Sequence, residues 1–194
     1  EGLQGGPRFY DCSVDDARLT LTNVLSAARA GAVAVNHARV TGLLKANGKV
    51  CGVQVRDEIT GKELEVRSKV VAGAAGPWGD SLLKMDAPST PDNLRPTKGV
   101  HLMVRRDRIG NCNALSYMVQ KDGRLMFLIP WGKFSIIGTT DTAVPSPDQY
   151  AIEDWEVDLL MAEGEQLIPG FSQHRALRAW AGVRPTLFGY GVNE

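Results

Sequence analysis

The stretch Val70-Val71-Ala72-Gly73-Ala74-Ala75-Gly76-Pro77-Trp78 is the first whose residue types could meet a ligand. An apolar strand that feeds small residues and then a helix lets the main chain approach closely, with helix amides turned toward anionic groups. The same pattern describes a tight strand-to-helix turn packed with alanine, and the local sequence alone favours that plainer reading. Arg184 follows the apolar run 177–183, where a guanidinium can fork onto an anion or close a surface salt bridge. His101 lies in the apolar run 100–104 and is by type a proton acceptor, although a lone histidine in a strand more often has a structural part. Thr139, Thr140 and Asp141 follow the run 134–138, and their side chains can satisfy a turn's backbone. Lys98 reads as a solvated cation, and His37 and His174 as ordinary surface residues.

These residues need elements to position them. Residues 13–31 have helical spacing: Leu21, Val24, Leu25 and Ala28 recur on one side, Ser13 with Asp16 fits a capping box, and Gly31 supplies a stop. Residues 32–35 form a short apolar run that predicts a buried strand. A β-meander follows, with 40–44 and 50–56 flanking Ala46-Asn47-Gly48, a strong hairpin signal. A second turn at Thr60-Gly61 leads to 64–67, with Leu64 and Val66 on one face, and 70–72 reads as a further strand. Proline suits a first helical position, so a helix is expected to start near Pro77. Pro88, Pro91 and Pro96 mark 86–97 as a linker. Beyond it, 100–104, 115–120, 125–129 and 134–138 read as strands, with Lys121-Asp122-Gly123 as a turn, and such short connections predict antiparallel pairing. Residues 153–167 read as a helix with acidic residues in its first turn. The run 177–183 is a last strand that closes in Arg184-Pro185, and Trp131 and Trp180 read as packing residues.

Composition narrows the classes. At 43% apolar and 23% charged residues, the chain has globular values. Its 22 basic and 22 acidic residues cancel and do not gather into blocks, which argues against a nucleic-acid partner. Cys12, Cys51 and Cys112 are widely spaced and odd in number, so neither a disulfide framework nor a metal site is expected. No apolar run approaches the ~18 residues of a membrane span.

Ordered blocks supply more than any single motif. They are Tyr10-Asp11 with Val14-Asp15-Asp16-Ala17-Arg18-Leu19, then Ala75-Gly76-Pro77-Trp78, Lys98-Gly99-Val100-His101, Ile129-Pro130-Trp131 with Ile137-Gly138-Thr139-Thr140-Asp141, and Gly182-Val183-Arg184-Pro185. In this order and spacing the chain resembles an interior section of the FAD-dependent glycerol-3-phosphate dehydrogenases. The resemblance implies an α/β (α+β) fold: the C-terminal part of a two-part FAD-binding domain over 1–85, the linker 86–97, a mostly antiparallel substrate-binding sheet with a flanking helix over 98–185, and a tail 186–194. It implies an FAD cofactor, contacted through Val40, Ala75, Gly76, Pro77, Trp78 and Lys98. Arg184 is then the phosphate-binding residue, with Thr139 and Thr140 beside the substrate and His101 as acceptor of the C2 hydroxyl proton. The expected partners are a small phosphorylated polyol and a membrane quinone or electron-transfer subunits. The expected location is the cytoplasm, at most peripheral at the cytoplasmic membrane.

The chain departs from that family in two respects. No GxGxxG fingerprint is present, and no glycine-rich segment with a lysine follows Arg184-Pro185. The isolated chain is therefore expected to hold little or no flavin. A sibling flavoenzyme acting on amines or 2-hydroxy acids, or a non-catalytic binding module, stands as the alternative, since fold does not fix substrate.

Overall fold

The computed structural model describes residues 5–119 and 122–187. It is a mixed α/β chain with antiparallel sheets, and it divides into two compact units, Glu1–Val71 and Ala72–Glu194. The division falls upstream of the expected boundary at residue 85.

The first unit holds helix α1 (Asp16–Arg29) and a three-stranded antiparallel meander, β1 (Ala38–Ala46), β2 (Lys49–Asp57) and β3 (Glu63–Arg67), in the order β1-β2-β3. The cap of α1 is Asp15, whose Oδ1 accepts the Arg18 N–H at 3.0 Å, rather than the expected Ser13–Asp16 box. Asn47 and Gly48 both take positive φ, 50° and 74°, as the tight β1–β2 turn requires. Residues 32–35 and 70–72, expected as strands, are not strands. Their apolar side chains set a local preference, but a strand also needs a neighbour for its ladder, and none of the described residues supplies one.

The second unit begins with a single 3₁₀ turn (Gly76–Trp78) and helix α2 (Gly79–Asp86), so a helix does start at Pro77 as expected. Its sheet has six strands, all paired antiparallel: β4 (Leu94–Arg105), β5 (Leu115–Met118), β6 (Leu125–Trp131), β7 (Phe134–Gly138), β8 (Thr142–Ala143) and β9 (Arg178–Leu187). β4 is the shared strand. It pairs along Leu94–Met103 with β9 on one side, and with β7 and β8 on the other. A short helix α3 (Arg106–Ile109) follows β4, and α4 (Asp154–Leu167) lies against the sheet.

Two expectations change here. The last third of the expected linker, from Leu94 on, is strand, because Pro96 sits opposite Pro185 in the β4–β9 register. Gly182-Val183-Arg184-Pro185 does not close the last strand but lies inside it, and β9 continues to Leu187. Of the expected tail, residues 188–194 lie outside the described residues, as do Gln120 and Lys121 of the β5–β6 connection.

The core follows from the period of two on β4. Val100, Leu102 and Val104 are fully buried on one face and cluster with Met126, Leu128, Ile137, Leu160 of α4 and Phe171. Each such side chain contributes about 1.5–3 kcal/mol relative to leaving it in water. The odd-numbered residues of β4, Gly99 and His101 among them, face the other way.

Gly164 lets α4 meet Phe171: a Cβ there would stand 2.3 Å from the Phe171 ring. Glycine to alanine in an exposed helix gains about 1 kcal/mol. Here Gly164→Ala is expected to lose about 1–3 kcal/mol through overpacking. Urea denaturation decides the sign, and a stabilised variant would show that Phe171 moves aside freely.

Candidate functional site

The β4–β9 register sets Thr97 opposite Arg184, Gly99 opposite Gly182 and His101 opposite Trp180, while the β4–β7 register sets His101 opposite Gly138. Cross-strand partners share a face. One open face therefore carries Arg184, His101 and Trp180, with glycines between them.

The two glycines of β4 and β7 have a definite use. A Cβ on Gly99 would stand 2.1 Å from Nη2 of Arg184, and a Cβ on Gly138 would stand 2.2 Å from Cδ2 of His101. Both polar side chains can lie down on the sheet only because these positions carry none of their own. The guanidinium then reaches the segment after β7. Its Nη2 donates to Thr139 Oγ1 at 3.0 Å, Nη1 and Nη2 each donate to the Thr140 carbonyl at 3.4 Å, and Nη1 pairs with Asp141 Oδ1 at 3.2 Å. The Arg184 side chain as a whole keeps 40% exposure. The His101 imidazole stacks on the Trp180 indole with centroids 5.6 Å apart and planes 14° apart, which restricts its rotation.

Two expected site residues belong to the opposite face. Lys98 is an even-numbered residue of β4 and points toward α4, where its Nζ pairs with Glu156 Oε2 at 2.7 Å and donates to the Ala151 carbonyl. Its side chain is 4% exposed, so it is committed to the protein and not placed to touch a cofactor on the Arg184 face. Thr140 is 1% exposed, and its hydroxyl accepts the Val100 N–H at 3.0 Å and donates to Glu156 Oε1 at 3.2 Å. Its one proton is committed to Glu156 and its burial closes the rest to a substrate; only the carbonyl of Thr140 meets the site. Thr139 lies beside Arg184, with its own carbonyl accepting from Arg124 Nη1 at 3.3 Å.

Glu156 is the residue that sequence reasoning missed. Fully buried, it also accepts from Thr142 Oγ1 at 3.2 Å and from the Glu153 N–H at 3.0 Å, completing a capping box at the start of α4. Burial pushes its carboxyl up. The hydrogen bonds from Lys98 and Glu153, the charge of Lys98 and the Thr142 hydroxyl outweigh that and hold it below its ordinary value. Its spacing of three from Glu153 could have suggested the cap; its partners at 98 and 140 could not be read. Gly99 and Gly138, each inside a strand, did carry a signal of close approach.

Of the remaining expected cofactor residues, Gly76–Trp78 form the 3₁₀ turn that packs against β9. Gly76 has φ +50°, Pro77 opens the 3₁₀ turn, and the Trp78 indole N–H donates to Asp148 Oδ2 at 3.0 Å. Ala75 is half-buried just before them. Val40 belongs to the first unit, where it pairs with Val55 of β2.

Residues 1–192 match the family described as FAD dependent oxidoreductase. The chain belongs to that family. Within it the chain is similar to proteins of glycerol-phosphate oxidation. The glycerol-3-phosphate dehydrogenase of Mycobacterium leprae (strain TN) is 42% identical over 157 residues, covering 81% of this chain and 25% of that protein. The alpha-glycerophosphate oxidase of Enterococcus casseliflavus is 33% identical over 200 residues, covering 100% of this chain and 33% of that protein. The solved glycerol-3-phosphate dehydrogenase of Bacillus halodurans, complexed with FAD, superposes with a TM-score of 0.80 at 34% identity, over 89% of this chain and 36% of that one. The chain thus spans about a quarter to a third of these relatives' length. The Arg184 face fits a flavin in one respect: with guanidinium and imidazole lying flat over glycines, it is low enough for a planar ring to approach. Lys98 does not fit that part.

Gly99→Ala is expected to lift the guanidinium off the sheet while costing about 1 kcal/mol or less, because the atoms displaced are mostly the far end of a flexible side chain. A crystal structure and a urea midpoint of the variant check both halves. An unmoved Arg184 would show that the cradle does not depend on Gly99.

The lowered carboxyl of Glu156 adds stability that is fully present above the ordinary glutamate pKa of about 4.3 and is lost as pH falls through the lower folded value. Acid unfolding followed by circular dichroism is expected to show this limb, and Glu156→Gln to flatten it. An identical acid limb in the variant would assign it to other carboxylates.

Proposed function

We propose that this chain is the substrate-gripping part of an FAD-dependent enzyme that oxidises sn-glycerol 3-phosphate at C2 to dihydroxyacetone phosphate. The observation that carries the reading is the part-exposed side chain of Arg184 on the same sheet face as His101. A planar guanidinium matches two phosphate oxygens at once. The relatives' names, which specify glycerol 3-phosphate and α-glycerophosphate, support a phosphate over the carboxylate that the same fork could hold.

The reaction removes two hydrogens from a secondary alcohol, one from C2 as hydride and one from its hydroxyl as a proton. A bound flavin supplies the hydride acceptor. Arg184 fixes the phosphate, and so the distance and direction of C2 from the rest of the site. Thr139 holds one edge of the fork through its hydroxyl. The His101 ring, backed by Trp180, accepts the hydroxyl proton or orients the hydroxyl by a hydrogen bond. The electrons then pass to a quinone or to a partner subunit, in keeping with a protein of the cytoplasm that is at most peripheral at the cytoplasmic membrane. This last part rests on the resemblance of the ordered blocks.

In the full-length protein, Arg184→Ala is expected to lower kcat/KM for sn-glycerol 3-phosphate by roughly thirtyfold, about 2 kcal/mol, the low end for a charge-assisted pair because the side chain is part-exposed. Lysine should restore only part of this, since it keeps the charge and loses the fork. Flavin content should stay the same, and glycerol, which has no phosphate, should feel the change far less. Steady-state kinetics on both substrates provide the comparison. Near-normal kinetics with the phosphorylated substrate would return Arg184 to a surface ion pair with Asp141.

A further inference from the structure

Thr140 faces two ways. Its hydroxyl reaches down through the sheet to Glu156 Oε1, while its carbonyl receives both terminal nitrogens of Arg184 on the open face. The hydroxyl is also fixed from the side by the Val100 N–H of β4. Glu156 in turn cannot shift without disturbing Lys98, Thr142 and the first turn of α4, all of which donate to its two oxygens. The Arg184 guanidinium has no comparable packing of its own. It lies over a glycine, and its described partners are Thr139, the Thr140 carbonyl and the exposed Asp141.

From this we infer that Glu156 is a positioning residue for Arg184, acting from the far face of the sheet through the hydroxyl of Thr140. The carboxylate anchors the backbone of residues 139–141, and that backbone presents the carbonyl and the Thr139 hydroxyl on which the guanidinium rests. Arg184 is thereby held at one height and one tilt above Gly99 before any ligand arrives. Such fixing matters because a displacement of about 1 Å can cost on the order of a hundredfold in rate. The kinetic consequence rests on the reading of Arg184 as the phosphate grip. The structural consequence does not.

Thr140→Val in the full-length protein cuts the link while keeping the shape and the Lys98–Glu156 pair; it also removes the acceptor of the Val100 N–H, which Glu156→Gln leaves in place. Thr140→Ser restores the hydroxyl, and Glu156→Gln weakens the anchor at its other end. The first readout is the crystal structure: the guanidinium of Arg184 is expected to move or lose its density in Thr140→Val and to return in Thr140→Ser. The second is kinetic: kcat/KM for sn-glycerol 3-phosphate should fall about tenfold or more in Thr140→Val and Glu156→Gln. Under the same conditions kcat/KM for glycerol should change only a few-fold, and serine should recover most of the loss. A general folding defect would lower both substrates together and leave serine no advantage, and that outcome overturns the inference. An unmoved guanidinium in Thr140→Val also overturns it. A displaced guanidinium with unchanged kinetics on both substrates would uphold the positioning and overturn the phosphate reading of Arg184 instead.

Discussion

Two opposite charges sit under the sheet at almost zero exposure, Lys98 on β4 and Glu156 on α4. Removing them from water costs several kcal/mol per ion, and their attraction repays this only when the remaining hydrogen-bonding capacity is filled. Here it is filled on the carboxylate, which receives Lys98, Thr140, Thr142 and the Glu153 N–H, while the lysine also meets the Ala151 carbonyl. The pair therefore specifies an arrangement more than it adds net stability. Strand β4, the start of α4 and the segment 140–142 must all be in place together, or one of the charges is stranded.

That constraint explains why the two faces of one strand can differ so much. Toward α4, β4 presents Val100, Leu102 and Val104 in a dry cluster, with Lys98 at its margin. On the reverse, Gly99 and His101 leave a low surface over which Arg184 and the imidazole lie. The alternation is ordinary strand geometry. The unusual part is that a residue of the loop after β7 couples the two faces, its side chain on one and its carbonyl on the other.

Much of this was legible in the residues. Antiparallel strands could be read from short connections and period-two runs, and the α4 helix from its acidic first turn. The ordered blocks named Arg184, His101 and Thr139; the β4–β9 register sets Arg184 and His101 on one face, and Thr139 meets Arg184 through a hydrogen bond. The misreadings share a cause. Residues 32–35 and 70–72 have strand-like composition, but composition cannot say whether a ladder partner exists. Pro96 looked like a linker residue because proline breaks ladders, yet opposite Pro185 it sits where neither residue has an N–H to offer. Lys98 and Thr140 were assigned to the open face because their blocks also contain site residues. Adjacent residues of β4 point to opposite faces, and Thr140 lies in the loop after β7, whose course a block of matched letters does not show.

The same parity argument gives the site its economy. Lys98 and Gly99 are neighbours in sequence, as are Thr139 and Thr140, and in each pair one member builds the support while the other builds the surface. A strand cannot vary one without presenting the other, so the electrostatics beneath the sheet and the geometry above it are fixed by the same few residues. Arg184 is then held by the Thr140 carbonyl, the Thr139 hydroxyl and Asp141, while its side chain as a whole keeps 40% exposure. A fork held instead by two buried carboxylates would sit in a net negative site, and an incoming anion would be repelled. Asp141, the one carboxylate among the described residues that pairs with Arg184, is 57% exposed and so is well solvated, which leaves it a weak competitor for a phosphate.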